Sequence, residues 1–187
     1  MSKQLTFYFI RHGRTQWNEQ GLLQGSGNSP LTEQGIAGAQ KTGVALQQVE
    51  FTAAYSSILQ RAIDTAGHII GQRPIPPFQH CGLNEQSFGS WEGMQIADLR
   101  KLTEFKQLTN DPAAYKALSN GGETFEQLAV RAMDALYDII KVHQSGANIL
   151  VVSHGHTLRL LLSLLGGATW ENHRDEGKSC LLYTSPS

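Results

Sequence analysis

Two histidines, two arginines and a glutamate in this sequence stand where they could move a phosphoryl group. Three apolar runs, residues 5–10, 51–55 and 148–153, lead into polar segments: Arg11-His12-Gly13 after the first, Ser56-Ser57 with Arg61 one helical turn on after the second, and Ser153-His154-Gly155 at the end of the third. In an open α/β sheet, ligands bind outside the carboxyl ends of the strands. If these runs are neighbouring strands, both histidines and both arginines meet at one edge. Guanidinium forks match phosphate oxygens in pairs. A neutral imidazole nitrogen can attack phosphorus to give a phosphohistidine, which splits one hard displacement into two easier ones. Positioned cations then carry the charge spread over the equatorial oxygens, and this chemistry requires no metal.

Each residue also has a plainer reading. Arg11 could be a surface charge, but it adjoins a His-Gly pair where backbone can approach a ligand closely. Arg61 is more telling, because a cation in the first turn of a helix opposes the macrodipole at a cost of roughly 0.3–1 kcal/mol, and a bound anion reverses that sign. His154 precedes Gly155 at a strand-to-helix junction, where free N–H groups favour an anion. A leaving alkoxide needs a proton, and Glu85, in an irregular loop, is the better candidate for supplying it, with Glu92 of Trp91-Glu92-Gly93 as a competitor. Arginines nearby lower a carboxyl pKa, so a useful acid also needs partial burial or an anionic substrate.

The elements that would position these groups alternate between strand and helix, which makes the class α/β. Residues 11–30 read as a long loop. Thr32 caps a helix reaching about residue 48, with Leu31 and Ile36 spaced as a hydrophobic staple. Ser57 and Gln60 read as a capping box for a helix over 58–70, which the prolines 74, 76 and 77 follow. A third strand is expected near Phe78 and a helix over 95–106, while the stretch to Asn120 has no readable pattern. Thr124 and Gln127 form another capping box, opening a helix in which Phe125, Leu128, Ala132, Leu136, Ile139 and His143 recur at helical spacing. A last helix covers 157–165. Beyond Gly177, residues 180–184 are a candidate final strand, and the abrupt end in Ser185-Pro186-Ser187 reads as truncated or foreign.

With 187 residues and 40% hydrophobic content, the chain suits one domain spanning 1–187. A formal charge of −1 gives no overall field toward nucleic acid or an anionic membrane. Cys81 and Cys180 lack metal-ligand spacing and are too few for a disulfide framework, which suits a reducing compartment. The apolar run behind Met1-Ser2-Lys3-Gln4 is too short for a signal or a membrane span. The expectation is a cytoplasmic protein whose partner is a small phosphorylated metabolite. Oligomeric state has no signature here.

Taken in order, Arg11-His12-Gly13 with Thr15, Trp17-Asn18, Leu23-Gln24-Gly25, Pro30-Leu31-Thr32 with Gly35, Ser56-Ser57 with Arg61-Ala62, Glu85, Phe88-Gly89 with Trp91-Glu92-Gly93, and Ser153-His154-Gly155 form a pattern over nearly the whole chain. That pattern resembles the histidine phosphatase superfamily, also called phosphoglycerate mutase-like, and within it the phosphatase branch. The resemblance implies a three-layer α/β/α sandwich around a mostly parallel sheet. It implies His12 as nucleophile, Arg11, Arg61 and His154 as the phosphate pocket, and Glu85 as proton donor and later base. It further implies substrate contacts from Asn18, Gln24, Gly155 and His156, with no cofactor.

There are departures. Asn28 stands where many relatives carry Asp, and either residue makes the same turn. Mutases of this superfamily hold a second acidic group of the substrate with basic residues after the catalytic Glu, including an adjacent arginine pair. Here Gln86-Ser87-Phe88 follows Glu85, residues 105–120 contain only Lys106 and Lys116 as basic groups, and Arg100 and Lys101 read as a solvated helix face. Phosphatase is therefore preferred to mutase. A metal-dependent hydrolase using His12, His154 and His156 would place a cation beside two arginines. A phosphate sensor would need neither His12 nor Glu85.

Overall fold

From Ile149 onward the residues of β4 (Asn148–Ser153) are buried, as a strand covered on both faces requires. The computed structural model describes residues 3–174. In it β4 pairs in parallel with β1 (Thr6–Arg11) on one side and β2 (Ala53–Ser56) on the other, and β3 (Pro77–Gln79) extends the sheet beyond β2 in the order β1-β4-β2-β3. Arg11 lies opposite Ser153, and Ser56 opposite Val152. That register brings the residues leaving three strands to one edge. Pro77 opens the exposed edge strand, where a missing N–H costs least.

Alternate side chains of β4 serve the two faces. Leu150 and Val152 pack with Ala39 of α2 (Glu33–Ala45) and with Ala62, Ala66 and Ile69 of α3 (Gln60–Ile70). Ile149 and Val151 pack with Ala135 and Ile139 of α6 (Phe125–Val142). Leu161 of α7 (Gly155–Leu165) joins Ala132 and Leu136 against Phe7 and Phe9. Each such buried aliphatic side chain contributes about 1.5–3 kcal/mol. The result is the expected three-layer α/β/α arrangement, and all four strands of its sheet are parallel.

Several local expectations need correction. The long loop contains α1 (Gln16–Gln20), held by a capping box between Thr15 and Asn18. It buries no residue, so it left no apolar periodicity to read. Thr32 does cap α2, but that helix stops at Ala45. The Ser57–Gln60 capping box does not form. α3 starts from Leu59 without a side-chain cap, because the Ser57 hydroxyl is engaged by His154 at 2.6 Å.

The helix expected over 95–106 is two helices, α4 (Ile96–Leu99) and α5 (Thr103–Asn110). At about 100° per residue, one straight helix would put Ile96 and Phe105 on opposite sides. Breaking it lets Ile96, Leu99 and Phe105 all reach a single cluster with Trp91, Tyr115, Phe125 and Leu160. Thr124 and Gln127 form their capping box as read. The candidate strand at 180–184 lies outside the described residues.

Candidate active site

His12 follows β1 and is only 8% exposed. Its N–H donates to the Ser153 carbonyl at 2.9 Å, continuing the β1–β4 ladder by one residue. Gly13 must be glycine, since a Cβ there would sit 2.7 Å from the Gly35 carbonyl oxygen. Its N–H donates to Thr65 Oγ1, whose hydroxyl donates to the Arg61 carbonyl, so the end of β1 is tied to α3. The His12 Nδ1 lies 2.7 Å from the Gly13 carbonyl. A carbonyl only accepts, so Nδ1 carries the proton and Nε2 keeps its lone pair. Burial, then the Arg61 and Arg11 charges, push the His12 pKa down to about 3, and the ring is neutral at pH 7.

The Arg61 side chain is buried and donates to the carbonyls of Gly25 and Gly27, both at 2.6 Å. Its Nε has no partner among the described residues. Burial lowers its pKa to about 10, with Glu85 and Glu92 opposing, so it remains a cation. Backbone carbonyls hold it, and no ion pair among the described residues involves it. His154 is fully buried, with its ring 5.1 Å from that of His12. Its Nε2 lies 2.6 Å from Ser57 Oγ, and its Nδ1 has no partner among the described residues. Burial holds its pKa well below the usual value, against the pull of Glu85.

Glu85 caps α7 from outside the helix. Oε1 accepts from the backbone N–H groups of Gln86 (2.9 Å) and Thr157 (3.1 Å) and from the Thr157 hydroxyl (3.2 Å), while Oε2 accepts from the His156 N–H at 3.2 Å. Burial alone would raise its pKa, but His156, His154 and the backbone donors outweigh burial and bring it to about 2. Both histidines are themselves held neutral at pH 7, so at that pH the N–H donors keep the carboxylate ionised. The lowering anticipated for Glu85 therefore has a different origin from the arginines.

Glu92 is placed elsewhere. Its Oε1 accepts from the N–H groups of Ser26 and Phe88, both at 2.9 Å, and thereby clamps one loop to another. The loop comes so close that a Cβ on Gly25, which has φ 56°, would meet that oxygen at 2.3 Å. Glu92 does not border the cleft described next.

A cleft of about 570 Å³ opens at this sheet edge, bordered by Arg11, His12, Arg61 and Glu85. The four further candidates, Asn18, Gln24, Gly155 and His156, all border it, whereas His154 does not reach its surface. Gln24 Oε1 accepts from the Thr15 hydroxyl, and Asn18 Oδ1 accepts from the Thr15 N–H, so α1 orients both. His156 donates through Nδ1 to Gln86 Oε1 at 2.8 Å, and its ring meets Phe88 and Phe125. Burial lowers its pKa to about 4. Among the described residues, no group of three His, Cys, Asp or Glu side chains could hold a metal ion.

Sequence reasoning missed two charged residues of this cleft, Arg159 and Arg174. Arg159 carried a readable signal, because it stands four residues beyond Gly155 on the same face of α7. Arg174 carried none, since it arrives on the chain that returns after α7. The basic residues weighed earlier stay outside: Lys101 pairs with Asp98 on the surface, and Lys116 sits over the Trp170 ring.

This arrangement can be set beside known proteins. The chain is 31% identical over 156 residues to a 2,3-bisphosphoglycerate-dependent phosphoglycerate mutase of Cytophaga hutchinsonii, covering 82% of this chain and 73% of that protein. The structure of Bacillus stearothermophilus YhfR matches with a TM-score of 0.86 at 34% identity, over 91% of this chain and 84% of that one. The alpha-ribazole phosphatase of Shigella flexneri matches with a TM-score of 0.78 at 34% identity, over 89% and 82%. Residues 7–181 match the histidine phosphatase superfamily (branch 1), and the chain belongs to that family, with a phosphoglycerate mutase-like fold.

Proposed function

We propose that this protein is a phosphatase that hydrolyses small phosphate monoesters through a phosphohistidine on His12. One observation carries the reading: a neutral, nearly buried imidazole whose Nδ1–H is fixed by the Gly13 carbonyl, leaving Nε2 free beside two arginines. In the first step Nε2 attacks phosphorus and the ester P–O bond breaks. Arg11 and Arg61 balance the oxygens, with His154 behind His12. Glu85 rests as a carboxylate, and a dianionic ester placed beside it raises its pKa. It takes up a proton as substrate binds and delivers it to the departing alkoxide. In the second step water attacks the phosphohistidine, Glu85 accepts the water's proton, the P–N bond breaks and phosphate leaves. Asn18, Gln24, Gly155 and His156 border the bound ester.

The cleft's size suits a small metabolite. The exposed free Cys81 fits a reducing, cytoplasmic setting, and no described helix is long and apolar enough to cross a membrane. The family match over 7–181 supports one domain.

A mutase is the second reading, because curated relatives are named phosphoglycerate mutases. Against it, the segment behind Glu85 brings no basic cluster to the cleft; Gln86 instead orients His156 and donates to the Glu123 carbonyl. Inorganic phosphate release from phosphoglycerates is expected to outrun isomer interconversion primed by a bisphosphate. The opposite ranking would replace this function with the mutase.

A further inference from the structure

Residues 82–85, which end in Glu85, belong to no strand, so their backbone carbonyls need donors from elsewhere. Side chains supply them. Arg131 Nη1 donates to the carbonyls of Gly82 and Asn84, both at 2.9 Å, and Nη2 donates to the carbonyl of Glu85 at 3.0 Å. The Ser153 hydroxyl donates to the Leu83 carbonyl at 2.7 Å. The donors left on the guanidinium go to Glu123, Nε to Oε1 at 2.6 Å and Nη2 to Oε2 at 2.7 Å. Every N–H of the Arg131 guanidinium is thereby engaged, and its planar fork is held in one orientation. Glu123 is bound to the same loop through its backbone: its N–H donates to the Ser87 carbonyl at 2.8 Å, and its carbonyl accepts from Gln86 Nε2 at 2.8 Å. Glu123 immediately precedes Thr124, the cap of α6, and Arg131 stands on that helix. Gly82 presses so close to α6 that a Cβ on it would lie 2.7 Å from Ala135 Cβ. Neither Arg131 nor Glu123 borders the cleft.

One guanidinium thus sets the path of the backbone that delivers Glu85. The Asn84 carbonyl, which it holds, also accepts from the Thr157 hydroxyl at 2.7 Å, so the loop is fixed to α6 and α7 at one atom. From that path the side chain of Glu85 reaches the N–H groups at the start of α7. Displacing a reacting group by about 1 Å costs on the order of a hundredfold in rate. We propose that Arg131, braced by Glu123, is a positioning residue for the general acid: it holds residues 82–85 where the Glu85 carboxyl meets the departing oxygen of the ester. This rests on the phosphatase reading, in which Glu85 protonates that oxygen.

The test compares propyl phosphate, whose alkoxide needs a proton, with para-nitrophenyl phosphate, whose phenolate leaves without one. Arg131→Gln and Glu123→Gln should each lower kcat on propyl phosphate on the order of a hundredfold, with little change in KM and a much smaller loss on the aryl ester. Added to Glu85→Gln, Arg131→Gln should cost propyl phosphate nothing more, since both act through one carboxyl. Arg131→Lys keeps the charge but not the fork; it carries the same comparison where Arg131→Gln fails to fold, with the same selective loss expected. In the resting protein the Glu85 pKa is lowered to about 2. A carboxyl-carbon NMR titration should show it rising in both variants, as the donors of α7 slip from its reach. Equal losses on the two esters where Glu85→Gln is selective, losses that add fully to those of Glu85→Gln, or an unchanged Glu85 titration in folded Arg131→Gln would each overturn the positioning role. A raised Glu85 pKa in these variants, while Glu85→Gln itself slows both esters alike, would overturn the acid role of Glu85 and leave the brace standing.

Discussion

Ser57 Oγ lies 2.6 Å from His154 Nε2, and the two residues are fully buried. The same oxygen accepts the Leu59 N–H at 3.2 Å, so one hydroxyl ties the turn ahead of α3 to the imidazole behind His12. Ser57→Ala leaves a buried ring nitrogen without a partner. The expected cost is about 1–3 kcal/mol of stability, read from the denaturant midpoint, together with reduced turnover. A midpoint unchanged from the native protein would show that this contact contributes nothing.

His12→Ala removes the only nitrogen placed for attack in the proposed mechanism. Rapid quenching of the native enzyme with labelled ester should trap an acid-labile, base-stable phosphoenzyme, and the variant should trap none. Turnover near the native rate in His12→Ala would refute the assignment of the nucleophile.

Glu85 and Glu92 separate by leaving group. Glu85→Gln should slow alkyl esters by roughly 10²–10⁴-fold, the usual range for a positioned acid, and activated aryl phosphates much less. Glu92→Gln loosens the clamp on Ser26 and Phe88, so it should affect both ester classes alike. The reverse pattern would transfer the acid role to Glu92.

The pH dependence of stability follows from groups that stay unprotonated when folded. His12 and His156 have folded pKa values of about 3 and about 4, against about 6.5 in the unfolded chain. Between those limits the unfolded state binds more protons, so stability rises with pH. Glu85, lowered to about 2, adds stability present above the ordinary carboxyl pKa of about 4.3 and lost as pH falls toward 2. Chemical denaturation should give a plateau above about pH 7 and a decline from about 6.5 down to 3, on the order of 1 kcal/mol per pH unit for each histidine. His12→Asn should flatten that decline. A flat profile from pH 7 to 4 would contradict the burial of these rings as neutral species.

What the sequence could reveal divides along local and distant causes. The strand ends and the residues following them were readable because an apolar run and its polar exit lie within a few positions, as with residues 148–153 leading to His154. Caps at Thr32 and Thr124 were readable because a cap is a contact over three residues. Ser57 matched the same cap pattern, yet its partner is 97 positions away, and the tertiary contact prevailed. The helix read over 95–106 is broken in two because only the break lets Ile96, Leu99 and Phe105 reach one cluster. Arg174 had no local signal, since only the chain's return past Phe125 brings it to the cleft.

The hydrogen bond from the His12 N–H to the Ser153 carbonyl belongs to the same ladder as the β1–β4 pairing. The backbone segments that carry the two imidazoles therefore part only when edge strand β1 leaves β4. Amide exchange at His12 then reports the release of β1 from β4, and the two rings stay paired as long as that ladder does.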